Sequence, residues 1–194
     1  GALLIAALLA WPSAARAQAS EVAALLREGV ARRIAGDDET ALARFTEAHA
    51  RCHCAEAMAQ MALAAQALGR FASADAWLTE ALAARGDRWV DANRAELTSA
   101  CAAARSQAAV LVVSGEVGAS VSVDGEARGD VLPAGALRVR VDPGRRRVSL
   151  TTGDGRSAEG SVEVIAGGES ALRVTLPPRP TRTSSARACP SKMC

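Results

Sequence analysis

One phrase of this chain is written twice. Gly36 opens G-D-D-E-T-A-L-A-R-F-T-E-A, and Gly69 opens G-R-F-A-S-A-D-A-W-L-T-E-A. The copies share Ala41/Ala74, Ala43/Ala76, Thr46/Thr79, Glu47/Glu80 and Ala48/Ala81, with Phe45 answered by Leu78. Self-similarity at a period of about 33–34 residues predicts stacked helical hairpins, a plan that serves binding more often than chemistry.

The flanking residues extend this reading over residues 20–105. Val22, Leu25, Leu26, Val30 and Ile34 recur at helical spacing. Gly36-Asp37-Asp38 ends that helix and offers an N-cap to the next. Met58, Met61, Leu63 and Leu68 mark a third helix, Ala74 to Ala83 a fourth, and Trp89 to Ala104 a fifth.

The two copies resemble tetratricopeptide repeats. Gly29, Gly36, Ala41 and Ala48 in the first, and Ala62, Gly69, Ala74 and Ala81 in the second, are the small residues at which helices of that family touch. Phe45 and Leu78 are the large ones between them. Arg32 and Ala65 stand where the family usually has an aromatic. The resemblance implies a groove lined by the first helix of each hairpin, with Arg27, Val30, Arg33, Gln60, Leu63 and Gln66 facing into it. Polar, apolar, polar in each triplet suits an extended peptide; it equally suits a solvated face over a half-buried stripe.

After Arg105-Ser106-Gln107 the apolar period drops to two. Val121 and Val123, then Leu137, Val139 and Val141, then Val148 and Leu150, Val162 and Val164, and Leu172, Val174 and Leu176 alternate with polar residues. Asp124-Gly125, Pro143-Gly144, Gly153-Asp154-Gly155 and Gly167-Gly168 separate them. Residues 109–176 therefore read as a small all-β sandwich, and the chain as a two-domain α+β protein. The stretch from Gly118 through V-S-V-D-G to V-D-P-G-R-R-R-V-S-L resembles a PEGA domain. That resemblance implies an envelope or surface module beside repeats.

Arg138, Arg140, Arg145, Arg146 and Arg147 fall close together and are expected to share one β-hairpin. They suit a phosphate-bearing polymer or lipid surface, with Arg138, Arg140, Arg145 and Arg147 as contacts, or the solvated outer face of a sheet.

Charge excludes a basic, nucleic-acid-binding body. Residues 20–105 carry 12 acids and 10 bases, and residues 106–176 carry 9 and 8. The excess sits in Arg16 and in a tail, residues 177–194, where Arg179, Arg182, Arg187 and Lys192 meet no acid; its composition reads as disordered. At the other end, residues 1–10 form an apolar run too short to span a bilayer, followed by Ala15-Arg16-Ala17, a small-x-small cleavage site. A signal peptide over 1–17 is expected, giving a periplasmic or secreted protein with no membrane span in its mature chain.

His49, Cys52, His53 and Cys54 are the one cluster of soft ligands, but their spacing fits no zinc or haem pattern. No metal and no cofactor are expected there; free thiols or a disulfide remain. Cys101 should lie too far from Cys52 and Cys54 to pair with either. No catalytic motif is present. The expected function is therefore a non-enzymatic scaffold that binds a protein or peptide partner. The alternatives are an anionic-surface binder and a module that self-associates.

Overall fold

The computed structural model describes residues 6–179, with side chains from residue 16 onward. The tail beyond Arg179, with Cys189 and Cys194, and residues 1–5 of the expected leader lie outside the described residues.

The helical half comprises α1 (Ala6–Ile34), α2 (Asp38–Cys52), α3 (Ala55–Ala67), α4 (Phe71–Ala83), α5 (Arg88–Ala92) and α6 (Arg94–Gln107). Gly36 and Gly69 both turn the chain with φ near 75°, a conformation that costs a side-chain-bearing residue energy. Asp37 caps α2 by accepting from the Thr40 N–H. Ion pairs of Arg51 with Glu21 and of Arg44 with Glu28 hold α2 antiparallel to α1.

Small residues set how close the helices come. Gly29 is the contact point of α1 and α2: a Cβ there would fall 2.4 Å from a ring carbon of Phe45, which is itself fully buried. In α3, Ala57, Ala59, Met61, Ala62, Ala64 and Ala65 are all buried, so helices surround it on most sides.

The expected fifth helix is in fact two. Asn93 breaks it: its side chain donates to the Trp89 carbonyl, offering the backbone an alternative to the helical ladder. After the bend, Arg94 donates to the Leu82 carbonyl and so satisfies the C-terminal end of α4. The first helix is also longer than expected, running unbroken through the residues before Glu21.

The β-half has seven strands: β1 (Ala109–Ser114), β2 (Ser120–Val123), β3 (Glu126–Asp130), β4 (Ala136–Val141), β5 (Gly144–Thr151), β6 (Ser157–Val164) and β7 (Glu169–Arg173). They form two sheets, ordered β4-β1-β7 and β3-β2-β5-β6. Leu111, Val113, Val121, Val123, Val148, Leu150 and Val164 meet in one shared, wholly aliphatic core. β1 and β7 pair in parallel, which brings the two ends of this half together.

The expected arginine hairpin does not exist as a paired unit. β4 and β5 belong to different sheets, and the chain crosses between them at Asp142-Pro143-Gly144. Arg146 clamps the crossing, donating to the carbonyls of Asp142 and Pro143.

That crossing meets the helices. Asp142 Oδ1 accepts from the Ala72 N–H at 2.7 Å, capping an α4 N-terminus whose own N-cap residue, Arg70, makes no side-chain cap. Behind it lies Asp75, the one buried charged residue among those described. Arg105 of α6 donates to its Oδ1 at 2.9 Å, and Arg140 of β4 stands 3.1 Å from its Oδ2. A buried carboxylate needs such partners, because desolvation otherwise disfavours its charge.

Two stability predictions follow from this packing. In Gly29→Ala, helix propensity favours alanine by about 1 kcal/mol, but overpacking against an immobile ring costs about 1–3 kcal/mol. The variant should be less stable in urea unfolding by about 1 kcal/mol. In Asp75→Ala, two guanidinium groups lose their acceptor; both are half exposed, which limits the cost to about 2 kcal/mol. A midpoint unchanged from the native chain would show that the carboxylate does not join the halves.

Candidate functional site

Four of the six residues expected to face a groove line one cleft in the helical half. Val30 and Arg33, with Ile34, come from the C-terminal end of α1, and Gln60 and Leu63 from α3. Trp89, Asn93, Glu96 and Leu97 close the far side, and the cleft measures about 410 Å³. Arg27 and Gln66 are not among its lining residues. The far wall was not legible in the sequence, because the bend at Asn93 is what turns Trp89 and Glu96 toward α1 and α3.

The cleft has an apolar floor and a charged rim of both signs. Leu63 and Trp89 are half-buried against the core, while Val30 is 39% and Ile34 83% exposed. Arg33 donates to Gln60 Oε1 through Nη1 at 3.5 Å. Its Nε lies 3.5 Å from Asp38 Oδ1, near enough for charge attraction, yet it is buried and makes no hydrogen bond to the protein. Glu96 carries the opposite charge across the cleft. Such a surface can hold an apolar side chain flanked by polar groups. Among the described residues, no group of three or more His, Cys, Asp or Glu is placed to hold a metal ion.

The four arginines expected to meet an anionic surface part company. Arg138 makes a double hydrogen bond to Glu169, at 3.0 and 2.7 Å, and Arg140 is held by Asp75. Both are thus already paired with a carboxylate. Arg145 and Arg147 do share a concave surface of about 610 Å³ on β5, with Ser149, Ser161, Asp124 and Glu159. The two acids offset the two bases. Desolvation works to raise the Asp124 carboxyl, but donation from the Arg147 N–H and the Arg146 side chain outweighs it and holds the group below the usual aspartate range. Its negative charge therefore persists at neutral pH beside the two arginines.

Cys52 and Cys54 form a disulfide, and Cys101 is a buried free thiol near Thr79 and Asp75. The expectation that Cys101 pairs with neither Cys52 nor Cys54 thus agrees with the structure.

No protein-family model and no curated protein matches the chain. Among solved structures, the C-terminal domain of the Caf1A usher, whose surface hydrophobic clusters are important for F1 antigen assembly, is similar at 15% identity. The overlap covers 36% of this chain and 97% of that one, with a TM-score of 0.30. That likeness is too slight to inform the fold or the function.

Removing the acid should unmask the β5 surface. Asp124→Asn keeps a residue type that tolerates the left-handed backbone here, where φ is 52°. At low ionic strength it should bind a short polyphosphate about two- to fivefold more tightly than the native chain, the scale of one exposed charge pair. Equal affinity in a titration would mean that Arg145 and Arg147 do not form an anion site.

Proposed function

We propose that this chain is a non-enzymatic scaffold of the cell envelope. Its helical half, built on the plan of tetratricopeptide repeats, holds an extended segment of a protein partner, and its PEGA-like half positions that complex. The observation that supports this reading is the cleft between α1, α3 and the bent α5–α6 pair. It is formed by residues of both repeat copies and leaves Val30 and Ile34 exposed beside Leu63 and Trp89. Apolar side chains left uncovered in a concave surface are the ordinary mark of a binding groove.

The chemistry specifies the ligand further. An apolar anchor fits between Val30, Leu63 and Trp89. A carboxylate near it meets Arg33, and a base meets Glu96. Burial of the anchor supplies affinity, while the rim charges set orientation and register. Among the described residues no helix is long and apolar enough to cross a membrane, so the scaffold reading requires no span there.

The alternative is an anionic envelope polymer or lipid surface held by Arg145 and Arg147. Salt separates the two. Charge-driven binding weakens steeply with ionic strength, whereas apolar anchoring changes little.

The test is a peptide-library screen against the full chain at low and high salt, repeated with Val30→Glu. Val30 is exposed enough for this change to spare the fold. Peptides retained at high salt by the native chain should lose about tenfold or more in affinity for the variant, as expected when an interface anchor is removed. Binding that ignores Val30→Glu and vanishes with salt would transfer the function to the β5 surface.

A further inference from the structure

The cysteine pair at the α2–α3 junction is placed poorly for a structural staple and well for chemistry. Cys52 is the last residue of α2, and Cys54 is the N-cap of α3; only His53 stands between them. A disulfide stabilises mainly by removing loop entropy from the unfolded chain, and a loop this short has little to remove. The Cα atoms are 5.0 Å apart, and His53 bridges them in the left-handed region, with φ 49° and ψ 31°. That is a common left-handed end for a helix, and the His53 N–H donates to the His49 carbonyl at 2.7 Å.

The two sulfurs are not equivalent. Cys52 sits at the negative, C-terminal end of α2, where a thiolate is disfavoured, a disadvantage that the Cys54 N–H, donating to its Sγ at 3.2 Å, offsets in part. Cys54 sits at the positive, N-terminal end of α3, a helix of 13 residues, where a thiolate is favoured. No side chain already caps that end. Glu56 is the acid of the same first turn; its carboxyl is pushed up by burial and then by the charge of Asp87. The imidazoles of His49 and His53 stand edge to face, 5.6 Å apart, and His49 Nδ1 lies 3.3 Å from the Cys54 carbonyl oxygen. His53 is exposed, and both cysteines are partly buried, packed against Val22, Leu25, Ala48 and Ala57.

From this arrangement we infer that Cys52–Cys54 is a thiol–disulfide exchange site that accepts electrons from cysteine thiols. The incoming thiolate attacks Cys52 Sγ. A mixed disulfide forms there, the Sγ–Sγ bond breaks, and its electron pair leaves on Cys54 Sγ at the head of α3. A second thiolate then attacks the sulfur of the first, releasing Cys52. Two thiols are oxidised to one disulfide, Cys52 and Cys54 are reduced, and the displaced protons pass to the two cysteines through solvent or the adjacent imidazoles.

The experiment uses the full oxidised chain in two arms, one with reduced glutathione and one with a reduced two-cysteine peptide. Acid quenching, alkylation and mass mapping follow, with circular dichroism confirming that the fold persists. The bond should open reversibly in at least one arm. The faster arm identifies the source of the thiol, small molecule or polypeptide. Trapped mixed disulfide should sit on Cys52 over Cys54 by about tenfold, reflecting the opposed helix ends. In the reduced single-thiol variants, Cys54 of Cys52→Ser should alkylate faster at neutral pH than Cys52 of Cys54→Ser. A bond that stays closed in both arms, or adducts shared equally between the two sulfurs, would overturn the assignment.

Discussion

The carboxylate of Asp75 is the point on which the two halves depend. It is 95% removed from solvent as a side chain, a position that an aspartate holds only when its charge is met. Arg105 meets it from α6 and Arg140 from β4, while the Cys101 thiol donates to it at 3.5 Å. Two helices and a strand thus converge on one group. The cap that Asp142 lends to α4 lies just N-terminal to it, so the same strand crossing serves both contacts. A short stack of hairpins has an open side that its own repeats do not cover. Here the N-terminal end of α4 is closed by the β-half, with polar contacts rather than a large apolar surface.

How much of this was legible depended on whether a signal was local. The repeat was readable because its small residues must recur wherever helices touch, and Gly29 against Phe45 shows the physical reason. Strands with one buried face were readable by alternation, as at Val121/Val123 and Val148/Leu150. Two strands gave no such signal. β1 is a continuous apolar run, flanked on both sides by paired strands, and β3 is exposed along its whole length. The arginine cluster misled because sequence proximity at Asp142-Pro143-Gly144 conceals a change of sheet. Asp75 stands where the first repeat copy has Leu42, itself a buried position; the partner that meets its charge, Arg140, lies far along the chain in the other half, where no local pattern reports it. The bend at Asn93, which supplies the far wall of the cleft, rests on a side-chain hydrogen bond that no periodicity reports.

The composition of α3 explains why the cleft is a fixed surface. This helix is close to uniformly alanine on its buried positions, with Ala57, Ala59, Ala62, Ala64 and Ala65 all removed from solvent. Alanine loses no rotamer freedom on burial, so neighbouring backbones approach closely at little entropic cost. A helix enclosed in this way has nowhere to shift without opening its contacts to α2 and α4. Gln60 and Leu63 project from it on the side that remains open, and their positions are set by the buried face behind them. In the scaffold we propose, a ligand entering the cleft meets one wall already in place, and does not lose affinity to ordering it. The other wall, short α5 and the bend at Asn93, hangs on the Asp87 cap and the Trp89 carbonyl contact. On the same proposal, any adjustment to the shape of a partner falls to that wall, and the repeat-built side supplies the register.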